Sequence, residues 1–165
     1  MVLICYDGSA DARSAIEYAA ELLGDEPVTV LTIWEPFVDV VARTPAGFGM
    51  TMGMPATDEI DGASRKGAEE RAQEGAELAR KAGLNAQPRA SMQKITVANT
   101  ILSEADELGA SAIVMGSRGL TGLKSLLLGS VSHAVIQHAD IAVMVVPSPD
   151  VAKSRMRERR ESART

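Results

Sequence analysis

A chain of 165 residues has the length of one domain, and a domain of that size buries roughly two-thirds of the surface its unfolded chain exposes, so no disulfide or metal staple is needed. Hydrophobic residues make up 45% and charged residues 24%, an ordinary globular balance, with no run of about 18 apolar residues that could span a membrane. The net charge of −5 argues against a dedicated nucleic-acid binder, and it is unevenly placed: residues 150–165 hold six Lys/Arg against three Asp/Glu, which leaves −8 on the remainder.

Val2-Leu3-Ile4-Cys5-Tyr6 reads as a buried strand with no basic segment before it to make a secretory signal, so a cytoplasmic location is expected. Cys5 is the single cysteine and has no cation beside it, which makes it a small buried hydrophobe rather than a reactive thiol. Asp7-Gly8-Ser9 supplies turn chemistry. A helix then runs from Asp11 to about Gly24, with Ala12, Ala15, Ile16, Ala19, Ala20 and Leu23 along one face. The second strand, Val28 to Trp34, is β-branched and nearly continuous in its apolarity, as expected of a strand covered on both faces.

From Glu35 to about Thr57 the chain is loop-like, with Pro36, Pro45 and Pro55 and the Met-x-Met-x-Met run Met50, Met52, Met54. Soft thioethers could hold Cu(I), but no Cys or His adjoins them, so a hydrophobic loop is the better reading of residues 46–55. A long helix from about Asp58 to Ala82 has Ala68, Ala72, Ala76 and Ala79 on its buried face, small enough to lie close to a sheet. Ala86 to Met92 is a strand interrupted by Pro88, which places it at an edge.

The next helix carries Val97, Ile101, Leu102, Ala105 and Leu108 and is capped by Gly109. The strand Ala112 to Met115, a helix from Ser130 to about Ala139 and the strand Ala142 to Val146 complete the core. Pro147 and Pro149 are expected to end regular structure, and the basic segment that follows reads as a solvated helix or frayed terminus. The alternation β-α-β-loop-α-β-α-β-loop-α-β implies right-handed crossovers and a five-stranded parallel sheet with helices on both faces, a Rossmann-like α/β domain over 1–147 with a basic tail over 148–165.

The segment between the fourth strand and its helix carries the chemistry. Its glycines, Gly116, Gly119 and Gly129, let backbone approach a ligand, and Gly129-Ser130 falls at a helix N-terminus, where unpaired N–H groups and the dipole favour an anion. Ser130 and Ser132 add hydroxyls. Neither Gly-x4-Gly-Lys-Ser/Thr nor Gly-x-Gly-x-x-Gly follows a strand here, and spacing alone leaves a second reading open, in which the glycines serve turns and the serines cap the helix.

Gly116-x2-Gly119-x9-Gly129-Ser130 resembles the nucleotide-binding motif of the ATP-binding branch of the universal stress protein family. The opening Asp7-Gly8-Ser9 and the closing Val143-Met144-Val145-Val146-Pro147 are similar to that family too. The resemblance implies strand order 3-2-1-4-5, with a cleft at the switch point between the first and fourth strands. It further implies that Gly116, Gly119, Gly129, Ser130, Val131 and Ser132 surround phosphates, that Asp7 holds the nucleoside, that Gly8, Ser9 and Met115 line the cleft, and that Ile33 contacts adenine. Asp7 as a turn or helix carboxylate and Ile33 as plain core are the alternatives.

The ligand so implied is ATP, with ADP and AMP as its variants and Mg2+ as a companion ion. A homodimer through Ala142 to Val146 is also implied, and no nucleic-acid or membrane partner is expected. The chain departs from the family at Ser91-Met92-Gln93-Lys94 and at Ile141-Ala142, where many members have Gly-x-Pro and Arg-Pro. No positioned base with metal-binding carboxylates is visible, so an enzyme is not expected beyond a very slow ATPase. His133 and His138 lie about 140° apart around a helix and cannot share a metal readily. Ser130, His133 and Asp140 lack the Gly-x-Ser-x-Gly elbow of a hydrolase.

Overall fold

The computed structural model describes residues 1–42, 57–120 and 128–162. Five parallel strands, β1 (Val2–Cys5), β2 (Pro27–Trp34), β3 (Asn85–Met92), β4 (Ala112–Gly116) and β5 (Ala142–Val146), form one sheet in the order β3-β2-β1-β4-β5. Around it lie α1 (Ala10–Leu22), α2 (Phe37–Ala42), α3 (Thr57–Lys81), α4 (Val97–Leu108), α5 (Ser130–His138) and α6 (Pro149–Ser162). The predicted strand order and edge position of the Pro88-bearing strand are both observed, since a proline lacks the N–H that a central strand would need on its second side.

Side chains alternate across the sheet as the pleat requires, so each strand feeds two cores. Val2, Ile4, Tyr6, Val28, Val30 and Val114 pack with Ala12, Ala15, Ala19 of α1 and Ala76, Ala79 of α3. Leu3, Leu31, Ile113 and Met115 face the other way, onto Ala98, Ile101, Ala105 of α4 and Val135 of α5. The continuous apolarity of these strands therefore reflects cover on both faces, the expected price of a parallel sheet.

Two local expectations are corrected. A short helix, α2, interrupts the segment read as loop after Glu35, and its first amide is held by Asp61 of α3, with Phe37 N donating to Asp61 Oδ1 at 2.7 Å. Pro149 does not end regular structure but begins α6, a position where a missing N–H is harmless and the fixed φ suits the helix. Ser148 and Val151 are buried at its start. The Met-rich run at 46–55 and residues 121–127 of the glycine-rich segment lie outside the described residues.

Helix α3 approaches the sheet more closely than its alanines alone would allow. A Cβ at Gly75 would sit 2.7 Å from Tyr6 Cδ1 and 2.8 Å from Val30 Cγ1, whereas a Cβ at Gly67 of the same helix would meet nothing within 4 Å. Tyr6 then closes the contact from below: its hydroxyl donates to Glu74 Oε1 at 2.9 Å, and Arg13 Nη2 of α1 donates to the same oxygen at 2.7 Å. In urea denaturation, Gly75→Val is expected to lower stability by roughly 1–3 kcal/mol through overpacking, while Gly67→Ala raises it by up to about 1 kcal/mol through helix propensity. Equal effects from the two would contradict this packing.

Candidate functional site

At the carboxyl ends of β1 and β4, where the strand order reverses, a cleft of about 290 Å³ opens. Open parallel sheets place their ligand sites at such a switch point. One wall comes from the turn after β1, the other from the segment between β4 and α5. Asp7, Ile33, Met115, Gly116, Gly119, Gly129, Ser130, Val131 and Ser132 all line it, so residues distant in sequence meet in one place.

Gly8 and Ser9 were expected in the lining and do not contribute to it. They shape the turn instead. Gly8 has φ +86, a left-handed conformation that favours glycine. Ser9 N donates to Asp7 Oδ1 at 2.9 Å, and Ser9 Oγ accepts from Ala12 N at 3.2 Å as the N-cap of α1. The Asp7 carboxylate thus fixes its own turn with one oxygen, while its Oδ2 lies toward Gly119, where a Cβ would be 2.7 Å away.

The three motif glycines answer to different neighbours. A Cβ at Gly116 would stand 2.8 Å from Asp11 C and Ala12 N, so the demand for glycine there comes from the first turn of α1. At Gly129 a Cβ would reach 3.2 Å from the Ser117 carbonyl oxygen, a tight contact within the segment itself. Gly119, by contrast, opens directly onto the Asp7 carboxylate. The segment is also pinned by hydrogen bonds: Ser117 Oγ donates to Asp11 Oδ2 at 2.7 Å, Ser117 N to Val146 O at 2.8 Å, Gly129 N to Ser117 O at 2.8 Å, and Ser132 Oγ to Gly116 O at 3.0 Å.

The N-terminus of α5 differs from those of α1 and α4. Ser9 caps α1 and Thr96 caps α4, each accepting from a first-turn amide, but Gly129 at the head of α5 provides no side-chain cap. First-turn amides of α5 are therefore left for another acceptor, and the helix dipole makes an anion a favourable one. Ser130, Val131 and Ser132, which carry those amides, line the cleft. The floor suits an apolar ring, with Ile33, Met115, Val97 and Ile101 among its residues.

Two weakly acidic groups of the lining, the Cys5 thiol and the Tyr6 hydroxyl, are shifted upward. Burial pushes the Cys5 thiol up to about 12, with the Asp7 charge acting in the same direction. Burial and then the hydrogen bond to Glu74 push the Tyr6 hydroxyl to about 12 as well. Sequence reasoning missed two cations in the lining, Arg71 of α3 and Arg118 of the glycine-rich segment. Arg118 lay inside the Gly116-x2-Gly119 spacing and was legible as a motif cation; its Nε is 3.8 Å from Asp11 Oδ2. No sequence pattern announces Arg71, because its approach depends on how far α3 extends over the β1 turn. Among the described residues, no group of three or more His, Cys, Asp or Glu could hold a metal ion.

Comparison with known proteins agrees with this geometry. The family model described as the universal stress protein family matches residues 1–147. Universal stress protein YxiE of Bacillus subtilis is 34% identical over 154 residues, spanning 88% of this chain and 97% of that protein. A universal stress protein from Archaeoglobus fulgidus is similar in structure at 26% identity, with a TM-score of 0.62 and coverage of 88% of this chain and 91% of that one. A structure from Archaeoglobus fulgidus in complex with dAMP shares the fold at 24% identity, with a TM-score of 0.59 and coverage of 88% and 95%.

The crowding at Gly116 generates a test. Gly116→Ala is expected to lower stability by roughly 1–3 kcal/mol in chemical denaturation, because backbone rather than a flexible side chain must give way. Unchanged stability would show that α1 does not set the width of the cleft.

Proposed function

We propose that this chain, which belongs to the universal stress protein family, binds ATP or a close adenine nucleotide at the switch-point cleft and acts as a regulatory stress-response module. The observation that carries this is the uncapped N-terminus of α5 facing the Asp7 turn across an apolar floor. Residues Gly119, Gly129, Ser130, Val131 and Ser132 would take the phosphates through amides and hydroxyls. Asp7 would accept from the ribose hydroxyls, and Ile33 and Met115 would hold the base. The Archaeoglobus fulgidus complex supports the choice of ligand, since it places dAMP on the same fold.

Binding without efficient turnover is part of the proposal. Asp7 is the only carboxylate among the described residues lining the cleft, one of its oxygens is engaged by Ser9 N, and both Cys5 and Tyr6 hold their protons far above neutral pH. Efficient phosphoryl transfer asks for a positioned base and a held metal ion. ATP, ADP and AMP remain alternatives for the resident ligand, with Mg2+ as a counter-ion to the phosphates. A cytoplasmic location is proposed with it; no helix among the described residues is long and apolar enough to cross a membrane.

A second reading, a nucleotide-free interaction module, has an observation of its own. Gly116 and Gly129 both face backbone within the protein, so their glycine requirement does not need a ligand. Direct measurement separates the two. Isothermal titration with Mg·ATP is expected to give saturable one-site binding, and ATP at a hundredfold excess over Kd should add about 2.7 kcal/mol of stability. No heat at about 1 mM nucleotide, the limit of roughly 4 kcal/mol binding, ends the nucleotide proposal. Mass spectrometry of nucleotide released from the denatured protein identifies the ligand.

We also propose a homodimer through β5. It is one of the two outer strands of the sheet, and Val143, Met144 and Val145 on it are only half-buried. An apolar edge of this kind invites pairing unless it is covered. Sedimentation equilibrium is expected to show a dimer that a charge in the strand, Val143→Lys, dissociates; a monomer at high protein concentration refutes it.

A further inference from the structure

We infer that Arg71 of α3 is a phosphate-binding residue of the switch-point cleft and sets its preference for polyphosphate over nucleoside, an inference that rests on the nucleotide reading above. Arg71 comes from neither of the segments that form the two walls. It reaches the cleft from α3, and its Cδ and Nε lie 3.7 and 3.8 Å from the place a Cβ of Gly8 would occupy. Gly8 has no side chain, so the arginine stem can pass close to the turn, and Arg71 is among the residues lining the cleft.

Charge explains why such a residue is needed. The described lining contains one carboxylate, Asp7, and two guanidinium groups, Arg71 and Arg118. Arg118 is turned toward the buried Asp11, at 3.8 Å. A polyanion entering beside Asp7 would meet like charge, and the amides of α5 supply only about half an elementary charge. Arg71 offsets both. Its planar fork also matches a phosphate in a way that a lysine ammonium does not.

The other cations around it are occupied differently. On α3, Arg65 pairs with Glu69, Lys66 with Glu70, and Arg80 Nε donates to Ala86 O. Arg13 of α1 is held by Glu74, and Arg89 of β3 by Glu104 and Glu107. Arg71 makes no hydrogen bond or ion pair among the described residues. A half-buried guanidinium at the rim of a cleft, with its partners absent, is disposed to take an anion that enters.

The test is calorimetric titration of the full chain, unaltered and as Arg71→Gln and Arg71→Lys, with ATP, ADP, AMP and adenosine at fixed ionic strength. Arg71→Gln is expected to weaken ATP binding by roughly tenfold to a hundredfold, the range for losing a hydrogen bond to a charged group, and to leave adenosine unchanged. Arg71→Lys should recover part of the ATP affinity. The unliganded melting temperatures of both variants control for folding. Unchanged ATP affinity, or equal loss for ATP and adenosine, overturns the assignment of Arg71 while the nucleotide reading stands. Failure of the unaltered protein to bind ATP removes both.

Discussion

The cleft exists because β4 and α1 meet with no slack. At Gly116 a side chain would collide with the backbone of Asp11 and Ala12 at 2.8 Å, and the adjoining Ser117 hydroxyl is locked to the Asp11 carboxylate at 2.7 Å. Both partners of that hydrogen bond are buried, so each would be left with an unsatisfied polar group if the other were lost. This contact holds the start of the glycine-rich segment at a fixed distance from the Asp7 turn. Ser132, reaching back to the Gly116 carbonyl, then ties the first turn of α5 to the same point.

With that distance fixed, the differences among helix N-termini acquire meaning. Helices α1 and α4 each have one first-turn amide met by a cap side chain, Ser9 accepting from Ala12 N and Thr96 from Asn99 N. Helix α5 follows Gly129, which gives it no side-chain cap. A glycine at the N-cap in place of serine or threonine costs such a helix start only a few tenths of a kcal/mol. The fold accepts that small loss at a terminus whose first residues, Ser130 to Ser132, line the cleft.

Much of the fold was legible because the sequence repeats a few physical signals. Unbroken β-branched runs gave the parallel strands, Pro88 gave an edge, and Gly109 gave a left-handed cap, which the structure shows at φ +62. Strand order came from a family resemblance, since periodicity alone does not order strands. Pro149 misled because a proline that cannot continue a helix can begin one. The short helix α2 was hidden by the prolines around it, and its start depends on Asp61 from a distant helix. At the site, the motif residues were visible as spacing, but the division of labour among the glycines was not. Gly75 and Arg71 were missed for one shared reason: their roles depend on the height and length of α3 over the sheet, which no local pattern encodes.

The environment of Cys5 carries a consequence for redox chemistry. A sulfur whose proton is retained to about pH 12 presents almost no thiolate under cellular conditions, and thiolate is the species that exchanges with disulfides or is oxidised to sulfenic acid. As this is the only cysteine in the chain, no disulfide can form within it, and the low thiolate fraction slows exchange with other thiols. Among the described residues, the sulfurs that oxidants reach more readily are the exposed thioethers of Met92 and Met156.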